Sequence, residues 1–190
     1  MMPVRLRKLV PSELDEEQRQ VYEAIAGGDR SRGPQLFPLA ESDGSLNGPY
    51  GVMLHAPRVG GPLQELGAAL RFRTDLTDRV REIVILLVAD RMGSEFQWWA
   101  HERIALAAGL GREEIDAIRT GEFAGADDAE STAYALAVDL LRGETIGDDE
   151  YARAATVLGE QQLVELSVLV GYYRMLAQTM ALFDVGVPED

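Results

Sequence analysis

Apolar residues recur at three- and four-residue intervals along most of the chain, and no alternating pattern persists anywhere. That spacing puts them on one side of a 3.6-residue helix rather than on one face of a strand. It predicts a first helix over about residues 13–26, with Ser12 as N-cap, Gly27-Gly28 as stop, and Leu14, Val21, Tyr22 and Ile25 along one side. A second helix is predicted from Pro57 to Phe72 on the stripe Val59, Leu63, Leu66 and Leu70. Thr77 then caps a third, and Val80 to Ala89 is apolar almost all round, the pattern of a buried central helix. Gly93 breaks it, Ser94 starts a fourth, and Gly109 stops that one. Later helices are predicted at about 112–120, 129–142, 148–158 and 161–184. The last carries Leu163, Leu166, Val170, Tyr173, Ala177 and Met180 on one face.

Residues 27–56 lack this rhythm and concentrate glycine and proline, as in Gly33-Pro34 and Gly48-Pro49. They predict a long irregular segment, and such segments in compact domains are often functional. The whole pattern therefore reads as one all-α domain over residues 1–190, with antiparallel helices around the central apolar one. Gly27-Gly28 and Gly109-Leu110-Gly111 are helix punctuation rather than phosphate loops, because no strand precedes them.

Composition narrows the partners. The chain of 190 residues is 46% hydrophobic and 26% charged, an ordinary globular balance. Its net charge of −14, from 32 acidic and 18 basic residues, repels phosphate backbones and anionic lipid, so neither nucleic acid nor membrane is an expected partner. The longest apolar run, Ile83 to Ala89, is far too short to span a bilayer. The basic stretch from Met1 to Val10 has no apolar run behind it, which predicts no signal peptide and a cytoplasmic protein. There is no cysteine, hence no disulfide, no thiolate ligand and no thiol nucleophile. The two histidines lack His-x-x-x-His or Glu-x-x-His spacing, so no metal is expected.

Candidate chemistry gathers on the fourth predicted helix. Ser94, Gln97 and His101 are spaced by three and four residues and share one face. A turn at Gly93 would fold this helix back on the central one and bring Glu82 near His101. Two plainer roles compete: Arg79 could pair with Glu82, and Ser94-x-x-Gln97 reads as a capping box. Trp98 and Trp99 point to other sides of the helix, so one could wall a pocket while the other packs in the core. In the irregular segment, His55 and Tyr50 are candidates to line a site.

The pattern Arg81-Glu82-Ile-Val-Ile-Leu, then Gly93-Ser94-Glu95-Phe96-Gln97-Trp98, then His101 and Ala107-Ala108-Gly109-Leu110, resembles the carboxymuconolactone decarboxylase family, which includes alkyl hydroperoxidase D. The stretch from Gly48 to Pro57 and the closing Gly171-Tyr172-Tyr173 extend the likeness over most of the chain. Peroxidase members carry a Glu, a Cys-x-x-Cys pair and a His four residues on. By position these fall on Glu82, Ser94, Gln97 and His101, so the sulfurs are missing. The resemblance thus implies the alkyl hydroperoxidase D-like helical bundle and its pocket, assembly into homo-trimers or hexamers, and no thiol peroxidase activity.

It implies instead a cofactor-free lyase of the decarboxylase type, or a related lactone hydrolase or isomerase, acting on a small carboxylated lactone or cyclic acid. His101 and Glu82 would be its catalytic acid–base pair. Gln97, Trp98, Tyr50, His55 and Arg58 would bind substrate, with Arg58, Arg71 and Arg73 as candidates for its carboxylate. The alternative is a non-catalytic ligand-binding or assembly module on the same fold.

Overall fold

The computed structural model describes residues 5–32 and 35–188; the Gly33-Pro34 pair lies outside them. Among the described residues the regular elements are helices, with one isolated antiparallel bridge between Ala40 and Leu46. They fall into two compact units, one running to Arg73 and including the residues from Gln178, the other Thr74–Ala177. None of the helices is long and apolar enough to cross a membrane.

In the first unit a 3-10 turn at Pro11–Glu13 precedes α1, Glu16–Ala26. The expected cap at Ser12 is therefore displaced to Asp15, whose carboxylate accepts from the Gln18 backbone N–H at 2.9 Å while the Gln18 side chain accepts from the Asp15 N–H at 3.0 Å. This reciprocal pair satisfies two otherwise orphaned donors, which a lone serine cannot do, and it leaves Leu14 free to enter the core. Within the segment read as irregular, a second 3-10 turn (Asp29–Ser31) and a short α2 (Pro49–Met53) appear.

The helix expected from Pro57 to Phe72 is α3, but of the expected stripe it fully buries only Leu70. Its inward face is Gly60, Gln64, Gly67 and Leu70, while Val59 and Leu66 are 66% and 39% exposed. The cause is steric. A Cβ at Gly60 would sit 2.2 Å from the Met53 carbonyl oxygen, so α2 and α3 approach more closely than any side chain permits. Close packing at the small residues sets the rotation of the helix, and the branched residues are carried outward.

The second unit is organised around α4, Asp78–Arg91, which packs on α5 (Glu95–Ala107), α6 (Arg112–Thr120) and α7 (Asp128–Arg142). Thr77 caps α4 as expected, its hydroxyl accepting from the Val80 N–H at 3.1 Å. Every residue from Val80 to Ala89 is buried. Each fully buried Val, Leu or Ile contributes roughly 1.5–3 kcal/mol relative to exposure, so this helix supplies much of the unit's stability. The expected helices 148–158 and 161–184 appear as α8, Asp148–Phe183, interrupted by a non-helical Gly159 (φ 77°, ψ 159°).

Candidate active site

The site begins with a turn. Gly93 adopts φ +60°, a backbone state that costs other L-residues, and Ser94 N–H bonds to the Ala89 carbonyl at 2.8 Å to close the end of α4. The chain then reverses into α5, and two residues on facing helices meet. His101 Nδ1 lies 2.6 Å from Glu82 Oε2. Glu82 is wholly buried and His101 is 7% exposed. A carboxylate removed from water at a cost of several kcal/mol needs such a partner.

The plainer role for Glu82 is not realised. Arg79 turns away from it: Nε bonds Glu130 Oε1 at 2.6 Å, Nη2 bonds Glu114 Oε1 at 2.7 Å, and Nη1 donates to the Gly109 carbonyl at 2.6 Å. These bonds raise the Arg79 pKa further, Glu130 contributing most, and the same guanidinium holds the Glu114 carboxyl below its ordinary value. Arg81 instead stands beside Glu82, with Nε 3.6 Å from Glu82 Oε1.

The capping box expected at the start of α5 does not form either. Ser94 makes no side-chain cap bond, and Gln97, only 2% exposed, donates from Nε2 to the Tyr173 carbonyl of α8 at 3.0 Å. A Gln drawn into the interior takes a buried carbonyl in preference to its own helix end, where water can serve. The Tyr173 ring also meets His101 edge-on, with centroids 5.1 Å apart and planes at 89°. Tyr173 thus joins Gln97 and His101, a role the sequence did not assign it, either as an apolar position on the last helix or within Gly171-Tyr172-Tyr173.

Trp98 and Trp99 are both half-buried. Arg119 lies 3.9 Å from the Trp98 ring centre, and Arg103 lies 4.4 Å from that of Trp99, which also packs on Phe96. Tyr50, His55 and Arg58 belong to the first unit, where each has a partner of its own. Tyr50 accepts from Arg30 Nε at 3.1 Å, His55 Nε2 lies 2.9 Å from the Arg7 carbonyl, and Arg58 donates to Glu17 at 2.9 Å from a largely exposed position. That ion pair raises the Arg58 pKa and lowers that of Glu17.

Residues 57–139 match the carboxymuconolactone decarboxylase family, a span that holds both Glu82 and His101. No curated protein matches the chain. Among solved structures, the alkylhydroperoxidase AhpD core, an uncharacterized peroxidase-related protein from Ralstonia eutropha JMP134, superimposes with a TM-score of 0.77 at 10% identity, covering 100% of this chain and 95% of its own. The debrominase Bmp8 gives 0.71 at 13% identity, covering 99% of this chain and 94% of its own. An AhpD-like protein from Agrobacterium tumefaciens gives 0.63 at 15%, covering 72% and 94%. These likenesses establish the AhpD-like fold. The chain has no cysteine, and the matched span holds Ser94 and Gln97 at the positions where the resemblance would place a Cys-x-x-Cys pair.

Proposed function

We propose that the chain is a lyase of the decarboxylase type that works by acid–base chemistry on a small carboxylated lactone or related cyclic acid. The observation that carries this reading is the buried 2.6 Å contact between His101 Nδ1 and Glu82 Oε2. With Nδ1 committed to Glu82, Nε2 is the nitrogen left to exchange a proton with a substrate. In decarboxylation the carboxylate leaves as CO₂, and its bonding pair remains as a dienolate. Nε2 of the imidazolium then delivers a proton to carbon, and solvent restores it. The same pair could open a lactone or shift a double bond. That this fold also serves a debrominase supports a catalytic role more than any particular substrate.

The test is a screen of carboxylated lactones and β-keto acids for CO₂ release, beside a His101→Gln control. Turnover that vanishes in the variant supports the proposal; turnover that survives it, or no turnover with any compound, counts against it. The low exposure of His101 favours a second reading, in which the same residues hold a ligand or the fold without chemistry. Assembly into a homo-oligomer belongs to the proposal as well. It is supported by the apolar side chains left exposed on α3 (Val59, Leu66, Phe72) and α8 (Val164, Leu182). Light scattering that finds only a species of 20.8 kDa at micromolar concentration would remove it.

A further inference from the structure

Among the described residues, the buried side-chain polar atoms without a hydrogen-bond partner are Arg81 Nε, Glu82 Oε1 and Gln97 Oε1. All three belong to the candidate site. The first two face each other at 3.6 Å with opposite charge, so each has an electrostatic counterpart. Gln97 Oε1 has none. Its orientation is fixed by its other end: Nε2 donates to the Tyr173 carbonyl at 3.0 Å, and exchanging the amide atoms would set two acceptors against each other. Gln97 therefore presents a buried acceptor, locked in place, one helical turn (about 6 Å along the axis) from His101 on the same face of α5. Both residues are anchored on Tyr173.

We propose that Gln97 Oε1 accepts a hydrogen bond from the substrate, so that the site takes a small cyclic molecule bearing an O–H or ring N–H beside the carbon that His101 protonates. This deepens the acid–base reading and rests on it for the position of the reacting carbon. A ligand offering only carboxylate or lactone oxygens at this point would place acceptor against acceptor. The substrate carboxylate must then lie away from Gln97, and hydroxylated or enolic lactones and lactams fit better than plain ones. Sites built around a polar contact reject the analogue that lacks it far more strongly than apolar pockets reject a missing methylene.

The experiment compares 4-fluorophenol with 4-fluoroanisole, alike in shape but differing in the donor, by fluorine-19 NMR titration of the full chain. The phenol is expected to bind at least about tenfold more tightly. In Gln97→Met, close in shape but without the acceptor, the preference should fall to about one. On the wild-type protein, the Gln97 side-chain amide resonances should shift with the phenol and not with the anisole, a readout that stands even if the variant does not fold. Equal binding of the two probes, no binding of the phenol up to its solubility, unmoved Gln97 resonances, or a preference that survives in Gln97→Met would each overturn the assignment. Inert lactones beside an intact phenol preference would count against the lyase reading alone. Equal probe binding would sink this inference and leave the acid–base pair untouched.

Discussion

Two polar clusters hang from the same helix, α4, three residues apart, and they are built to opposite rules. Arg79 has every arm engaged, by Glu130, Glu114 and the Gly109 carbonyl, and it ties α4 to α6 and α7. The cluster around Glu82 is more deeply buried, yet it leaves Arg81 Nε, Glu82 Oε1 and Gln97 Oε1 without hydrogen bonds. A saturated network is what stability alone would select. An under-satisfied one costs the fold something and persists where a ligand can complete it. The contrast separates a saturated ion cluster from an under-satisfied one without reference to any relative.

The contrast can be broken at its most sensitive point by replacing His101. His101→Gln should lower the rate of any CO₂ release by about 10²–10⁴-fold, the usual contribution of a general acid, while losing less stability in urea than His101→Leu, which leaves the buried Glu82 carboxylate with no donor at that position. A stability loss as large as the activity loss would mean that His101 is structural.

Next in size is Arg79→Met. It strands Glu130, whose side chain is 5% exposed, and should cost about 3–5 kcal/mol in urea unfolding. The matching change in the other cluster is the double variant Glu82→Leu/His101→Leu. It removes the pair but also takes the carboxylate from beside Arg81, which keeps Asp78, so it should cost less stability than Arg79→Met, with activity abolished. If the two variants lose equal stability, the clusters do not differ as described.

A smaller effect is expected from acid. The folded-state pKa of Glu114 is lowered, first by its bond to Arg79 and then by the Gly111 N–H. Its contribution is therefore complete above the ordinary carboxylate value of about 4.3 and is lost as pH falls through the depressed folded value. Urea midpoints measured from pH 7 down to pH 3 should fall in wild type and fall less steeply in Glu114→Gln. Because the Glu114 side chain is 35% exposed, added salt should shrink the difference. The smallest change belongs to Ser94→Ala. An N-cap serine normally contributes about 1 kcal/mol, but this one makes no side-chain cap bond, so thermal unfolding should shift by less than about 0.5 kcal/mol. A full-size loss would restore the capping role read from the sequence.

What the sequence made legible was whatever depends on local period and on a single turn. The long apolar run announced α4, and Gly93 announced the reversal that lets Glu82 reach His101. The rotation of α3 was not legible, because the Gly60 contact with Met53 outweighs the hydropathy of Val59 and Leu66, and a steric contact leaves no periodic trace. Partner choice over long separations was hidden for a similar reason. Arg79 and Glu130 are 51 residues apart, and Gln97 and Tyr173 are 76 apart, so the nearer candidates, Glu82 for Arg79 and Ser94 for Gln97, were the visible ones. Tyr50, His55 and Arg58 show how little a promising residue type says about its surroundings. Each is engaged by a neighbour in its own unit, and nothing in their spacing foretold which.

The turn at Gly93 has a consequence for chain closure as well as for geometry. It brings together residues only 19 positions apart, whereas the contacts of Arg79 close over 30, 35 and 51 positions. On a (3/2)RT ln n scale the 19-residue closure costs about 0.9 kcal/mol less than the 51-residue one. The contact between Glu82 and His101 therefore carries a smaller chain-closure cost than any contact of Arg79, and it needs only the hairpin of α4 and α5.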